Sequence, residues 1–248
     1  MKVVIISRVI YPSSSPRALR ATELAREFAK RGFDVHLYAM LDKNYDYTEF
    51  IHENNLTLHE LGPVFFFNNL GYPQEKKQKK KKTLIADKIV HFLRKSHLAK
   101  LLKYLFNIPD IELAIKVKNK LKKEQKIDLL ISIAVPHSIH WGVAWFLKSN
   151  KENKINCWMA DCGDPFMGNP LQKTPFYFKY LERLFCTYAS KILVPVEGAK
   201  LGYYPKFHHK INIVPQGFDI KKEKDLVERL KRKSHMDDSD SKKKIKYL

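Results

Sequence analysis

The chain has 248 residues, 44% of them hydrophobic, and 46 Lys and Arg against 26 Asp and Glu give it a formal charge of +20. That is enough apolar residue for a sizeable core in one large domain or two small ones, and the absence of any apolar run of about 18 residues excludes a spanning helix. Three cysteines (Cys157, Cys162, Cys186) without a CxxC pair fit reduced thiols in the cytoplasm and speak against a disulfide frame; with no His or Cys pair at ligand spacing, no metal is expected.

The opening "KVVIIS" is a continuous run of mostly β-branched residues, as in a strand buried on both faces of a parallel sheet. Arg8 interrupts it too early for a signal-peptide core. In "YPSSSPRALR", Ser15 suits an N-cap and Pro16 the first helical position. Ala21, Leu24, Ala25 and Phe28 recur at helical spacing, and Gly32 fits the residue after a helix end. "FDVHLYAM" and "NLTLHELG" read as the next two strands. A lysine run, "EKKQKKKKT", then leads into a basic amphipathic segment over 79–106 and a helix over 111–125, together an insertion at 75–126. Strands are expected at 127–134, 155–160, 191–196 and 211–215, with helices opening at "PHSIHW", over 175–189, and near Glu197. Strands alternating with helices predict an α/β fold: a doubly wound, Rossmann-like parallel sheet with helices on both faces.

In such sheets the ligand site lies beyond the carboxyl ends of the strands. The loops there contain neither GxGxxG nor GxxxxGK[ST], which excludes the dinucleotide and P-loop fingerprints. In order, "SSPRALRATELAREFAKRGFDV", "ADCGDPF", "LERLFCTYASKILVPVEGAK" and "INIVPQGFD" resemble the N-terminal domain of glycosyltransferase family 4, retaining enzymes of the GT-B fold. The resemblance covers residues 1–219. It implies one half of a GT-B enzyme, the acceptor side, with a nucleotide-sugar donor held by a second domain and no other cofactor. Within that implication, 220–248 is a charged tail, and "KIKYL" reads as the start of a missing donor domain, so that this chain alone is expected to be inactive; the plainer alternative is a disordered tail with a few apolar residues. A non-catalytic acceptor-binding or membrane-adaptor subunit, paired with a separate donor-domain chain, is the alternative.

Asp161 and Asp164 follow a central strand, where a carboxylate can take a proton from, or orient, an acceptor hydroxyl; the plainer alternative is turn capping. His137 and His140 begin a helix, whose N–H groups favour an anion, and a His there could hydrogen-bond a sugar hydroxyl or a phosphate; the plainer alternative is that Ser138 or His137 merely caps the helix. Arg17 and Arg20 lie on the first turns of the first helix and could grip a phosphate or form a solvated face. Ser15 offers a hydroxyl to an acceptor, Glu197 lines the expected cleft, and Gln216 with Gly217 forms a hinge where glycine would supply positive φ. Residues 71–126 hold 17 basic and 5 acidic side chains, which suggests an anionic partner; the amphipathic segment 79–106 either sits on an anionic membrane surface, which the resemblance implies at the inner face of the plasma membrane, or packs its stripe on the sheet and leaves its lysines solvated. Nucleic acid is not expected, since no RNA-binding aromatic motif or zinc spacing accompanies the lysines.

Overall fold

A computed structural model describes residues 1–62, 101, 104–108, 110–150, 154–171 and 173–217. The first strand, β1 (Lys2–Ile6), is buried on both faces, as its unbroken apolar run requires. Val3 and Ile5 face one core with Ala21 and Ala25; Val4 and Ile6 face another with Leu113, Val117 and Leu130. Helix α1 (Pro16–Lys30) starts as the sequence predicts: Ser15 Oγ accepts from the Ala18 amide at 3.3 Å and Pro16 opens the first turn. It ends at Gly32, whose φ of +80° is costly for any residue with a Cβ.

There follow β2 (Asp34–Ala39), α2 (Thr48–Asn54), β3 (Thr57–Glu60), α3 (Ile111–Leu121), β4 (Ile127–Ile133), α4 (Ser138–Ser149), β5 (Ile155–Asp161), α5 (Phe178–Tyr188), β6 (Lys191–Val194), α6 (Glu197–Lys200), a 3₁₀ turn (Pro205–Lys210) and β7 (Ile211–Ile213). The strands form one sheet in the order β3-β2-β1-β4-β5-β6-β7, every neighbouring pair parallel. The winding reverses between β1 and β4, the place where doubly wound sheets open a crevice. Helix α1 covers one face, and α3, α4 and α5 cover the other. Helices α3 and α4 cross closely because Gly142 has no Cβ; one there would run into the Ala114 carbonyl and the Val117 Cβ. Behind α4, Trp141 stacks on Phe178 at 5.4 Å between centroids, and both meet Phe166 edge-on.

The expected α/β architecture is present. Two elements are additional to it: α2, where Asp46 accepts from the Thr48 amide and hydroxyl, and the 3₁₀ turn. That turn ends in Lys210, whose Nζ donates to the carbonyls of Cys186, Thr187 and Ala189 at 3.1, 2.7 and 2.9 Å, closing the C-terminus of α5. Lys210→Met should therefore cost about 1–2 kcal/mol in urea unfolding, with m unchanged; a loss too small to measure would mean that water satisfies those carbonyls equally well.

The chain divides into two units, Met1–Val214 and Pro215–Leu248. Gln216 and Gly217 belong to the second. Positive φ among the described glycines falls at Gly32 and Gly62, so Gly217 does not supply the left-handed turn expected of it. The lysine run, the charged tail and most of the basic segment 79–106 lie outside the described residues. Among the described residues, no helix is long and apolar enough to cross a membrane.

Candidate functional site

The parallel register places the loops after β1, β4, β5 and β6 at one edge of the sheet, and the first turns of α1, α4 and α5 with them. The residues that the sequence singles out in the first unit meet there. Arg20 Nε donates to Asp161 Oδ2 in a tight ion pair, with 12% and 3% of the two side chains exposed. One turn earlier on α1, the Arg17 guanidinium occupies the space beside Gly163 that a Cβ would fill. Among the described residues Arg17 makes no ion pair. Ser15 is engaged as the cap of α1.

His137 is 6% exposed and does not cap α4. Its Nε2–H donates to the Asp164 carbonyl at 2.9 Å, which leaves Nδ1 as the lone-pair nitrogen. Burial pushes its pKa down to about 4; the bond to Asp164 opposes this and the nearby Arg17 cation adds to it. His137 is therefore neutral at physiological pH.

His140 lies one layer deeper, fully buried. Trp158 Nε1 donates to Ser132 Oγ at 2.7 Å, so the Ser132 hydroxyl proton goes to His140 Nδ1, also 2.7 Å away. His140 Nε2–H then faces Cys162 Sγ at 3.3 Å. Both ring nitrogens are spent on this internal chain, and burial holds His140 well below the usual imidazole range. The structure thus makes His140 a support beneath the loop after β5, with no ring nitrogen left for an acceptor.

The two aspartates part company. Asp161 is inside, paired with Arg20; Asp164 is exposed and borders a cleft of about 220 Å³ lined by Pro165, Gly168, Asn169, Gly198 and Gly202. The cleft's back wall is tight: Gly168 and Gly202 approach too closely for a Cβ, as do Gly202 and Pro165. Sequence reasoning missed the residue that fixes this wall. Glu182 of α5, fully buried, accepts from the amides of Phe166 and Met167 through Oε1, both at 3.1 Å. Burial raises its pKa, while those amide bonds oppose the shift. Glu197 stands at the rim, 71% exposed, 3.8 Å from Lys200.

Away from this edge, His36, His59 and Glu124 form a cluster with the ligand types of a metal site. The two imidazole nitrogens are 2.9 Å apart and the rings nearly parallel, a hydrogen bond, whereas two ligands of one tetrahedral zinc stand about 3.3 Å apart. Lys2 Nζ, 2.6 Å from Glu124, already supplies the positive charge.

No family model matches the sequence, and no curated protein matches it. Among solved structures, HepE from Anabaena in complex with UDP and glucose is similar over 89% of this chain and 46% of its own, at 11% identity and a TM-score of 0.48. UDP-GlcNAc 2-epimerase from Methanocaldococcus jannaschii is similar over 86% and 45%, at 16% identity and a TM-score of 0.43. CalG4, the calicheamicin glycosyltransferase, is similar over 88% and 52%, at 9% identity and a TM-score of 0.38. The chain spans about half the length of each.

Proposed function

We propose that this chain is the acceptor-side half of a retaining GT-B glycosyltransferase, which transfers sugar from a nucleotide-sugar to a glycan or lipid-linked acceptor in cell-surface polysaccharide synthesis. The observation that carries the reading is the pairing, on one open sheet edge, of an Arg17 cation with no ion-pair partner among the described residues and an exposed Asp164 carboxylate. Arg17 attracts the phosphate of an acceptor. Asp164 accepts a hydrogen bond from the attacking hydroxyl and can take its proton. Neutral His137 offers Nδ1 to a second hydroxyl. Asp161 with Arg20, Ser15 and His140 holds this group in place, Glu197 forms the rim, and Gln216 with Gly217 is the hinge to the donor side. The donor is held by a separate domain or chain. The work takes place on the cytoplasmic side of an anionic membrane, with the segment 79–106 as one contact.

Titration calorimetry with a water-soluble, short-chain prenyl-pyrophosphate hexose tests this. Binding should weaken about tenfold in Arg17→Ala, the usual worth of a charge-assisted pair, and the dephosphorylated glycan should bind the parent and the variant alike. The chain alone should release no UDP from UDP-glucose. Equal binding by Arg17→Ala, or turnover by this chain alone, would overturn the reading.

A further inference from the structure

The first turn of α5 and the two residues before it carry a surface that nothing in the site explains. Phe176 is 72% exposed and Tyr180 60% exposed, and the Lys179 ammonium lies over both rings, 5.7 and 5.2 Å from their centroids. Tyr177, between them, donates its hydroxyl to the Leu105 carbonyl. That bond brings a second set of exposed apolar side chains alongside: Leu101, Tyr104 and Phe106, each about half exposed. Scattered exposed apolar residues are ordinary, whereas a contiguous group marks a contact surface. The inner side of α5 is fully used, through Phe178, Glu182, Phe185 and Cys186, so the core does not require these outer rings.

The chemistry of the surface selects its partner. Tyrosines have an apolar body and a polar tip, and lysines lay their stems along apolar surface while keeping the ammonium wet; both suit the boundary between headgroups and acyl chains. Neither 171–180 nor 101–108 contains an acidic residue, in a chain of charge +20. Anionic headgroups complement that charge. In a β-α-β unit the helix runs back against its strands, so the first turn of α5 lies at the same sheet edge as Asp164 and His137. Phe178, next in the chain, packs on Phe166 of the loop that carries Asp164.

We infer that the aromatic-basic face built from Phe176, Lys179 and Tyr180, joined through Tyr177 to Tyr104 and Phe106, is a docking surface for an anionic lipid bilayer beside the candidate site. The inference rests on the reading of a lipid-borne acceptor, which such docking would present to Arg17 and Asp164. It shares Tyr104 and Phe106 with the segment 79–106 and adds to it the rings and the ammonium at the start of α5.

Co-sedimentation with phosphatidylcholine vesicles, with and without one-third phosphatidylglycerol, decides it. The full chain should bind the anionic vesicles at low salt, and less as salt rises. Phe176→Ser/Tyr180→Ser should weaken binding by about tenfold or more, and Lys179→Glu by about tenfold, with unfolding midpoints unchanged because the side chains are exposed. Calorimetric binding of the soluble pyrophosphate probe, without vesicles, should be the same in these variants, so the surface and the acceptor site fail separately. Unaltered vesicle binding by the double variant would overturn the inference and leave membrane contact to the lysine run. Absence of any binding to anionic vesicles would overturn it as well. Loss of self-association in the double variant, with vesicle binding intact, would assign the face to a second copy of the chain instead.

Discussion

Arg20→Met will lose about 3–5 kcal/mol of stability, the cost of leaving one partner of a buried ion pair without the other, which for a chain of this length lowers the melting midpoint by roughly 10 °C. The methionine fills much of the same volume, so the loss reports charge and not packing. The Asp161 side chain is 3% exposed and cannot turn to water when the guanidinium is gone. Asp161→Asn in the parent should cost less, because the arginine, 12% exposed, keeps access to solvent. Arg20→Met/Asp161→Asn should be more stable than Arg20→Met alone, since no buried charge remains. The effect reaches the site through the chain itself. Asp161 begins the Cys162-Gly163-Asp164 segment that lies against Arg17 and receives the His137 hydrogen bond. Losing its anchor should loosen the position of Asp164 as well as the fold. Urea unfolding of the four proteins, with constant m, measures the cycle. A single-variant loss below about 1 kcal/mol, the range of surface pairs, would show that water reaches this pair.

The sheet was legible because its signals are local. A strand buried on both faces must be apolar along its buried run, and β1 is from Val3 to Ile6; a helix entered through Ser15-Pro16 and left through Gly32 carries its own punctuation. The gathering of Arg17, Asp161, His137 and Asp164 followed from the same logic, since all parallel strands end at one edge. What the sequence hides is the third dimension within that edge. Asp161 and Asp164 look equivalent in "ADCGDPF", and the Arg20 contact, 141 residues distant, decides that one is internal. His137 and His140, three apart on a helix, are separated by depth: β4 and β5 supply Ser132, Trp158 and Cys162 to the second. Glu182 reads as a solvated helix residue, because only the folded loop brings the Phe166 and Met167 amides to it. Helix α2 had a signal, Asp46 two residues before Thr48, too short to outweigh the surrounding loop pattern.

Stability should also fall with acid, through His137. Its ring is held neutral in the folded protein, with a pKa of about 4, against about 6.5 in an unfolded chain. Between those values the unfolded state binds the proton and the folded state does not, so acidification drives unfolding. The contribution is constant above about pH 7 and is lost progressively as the pH falls to about 4, by roughly 3 kcal/mol in all. His140, buried with the same sign of shift, adds to the slope. Glu182 acts in the opposite sense: its raised pKa favours the protonated form in the fold, so its contribution is greatest in acid and declines as the pH rises. The background from both is shared by parent and variant, which makes the difference between the two the informative quantity. His137→Gln places an amide donor where Nε2 bonds the Asp164 carbonyl and removes the titration. The stability of the parent relative to His137→Gln should therefore rise by about 3 kcal/mol between pH 4 and pH 7, read from urea midpoints across the range. A difference independent of pH would mean that the imidazole is protonated equally in both states, and that neutral Nδ1 is not available to a sugar hydroxyl under acid conditions. If the predicted slope is found, the same neutral ring serves the site throughout the physiological range, and sugar binding that depends on it should hold constant from pH 6 upward.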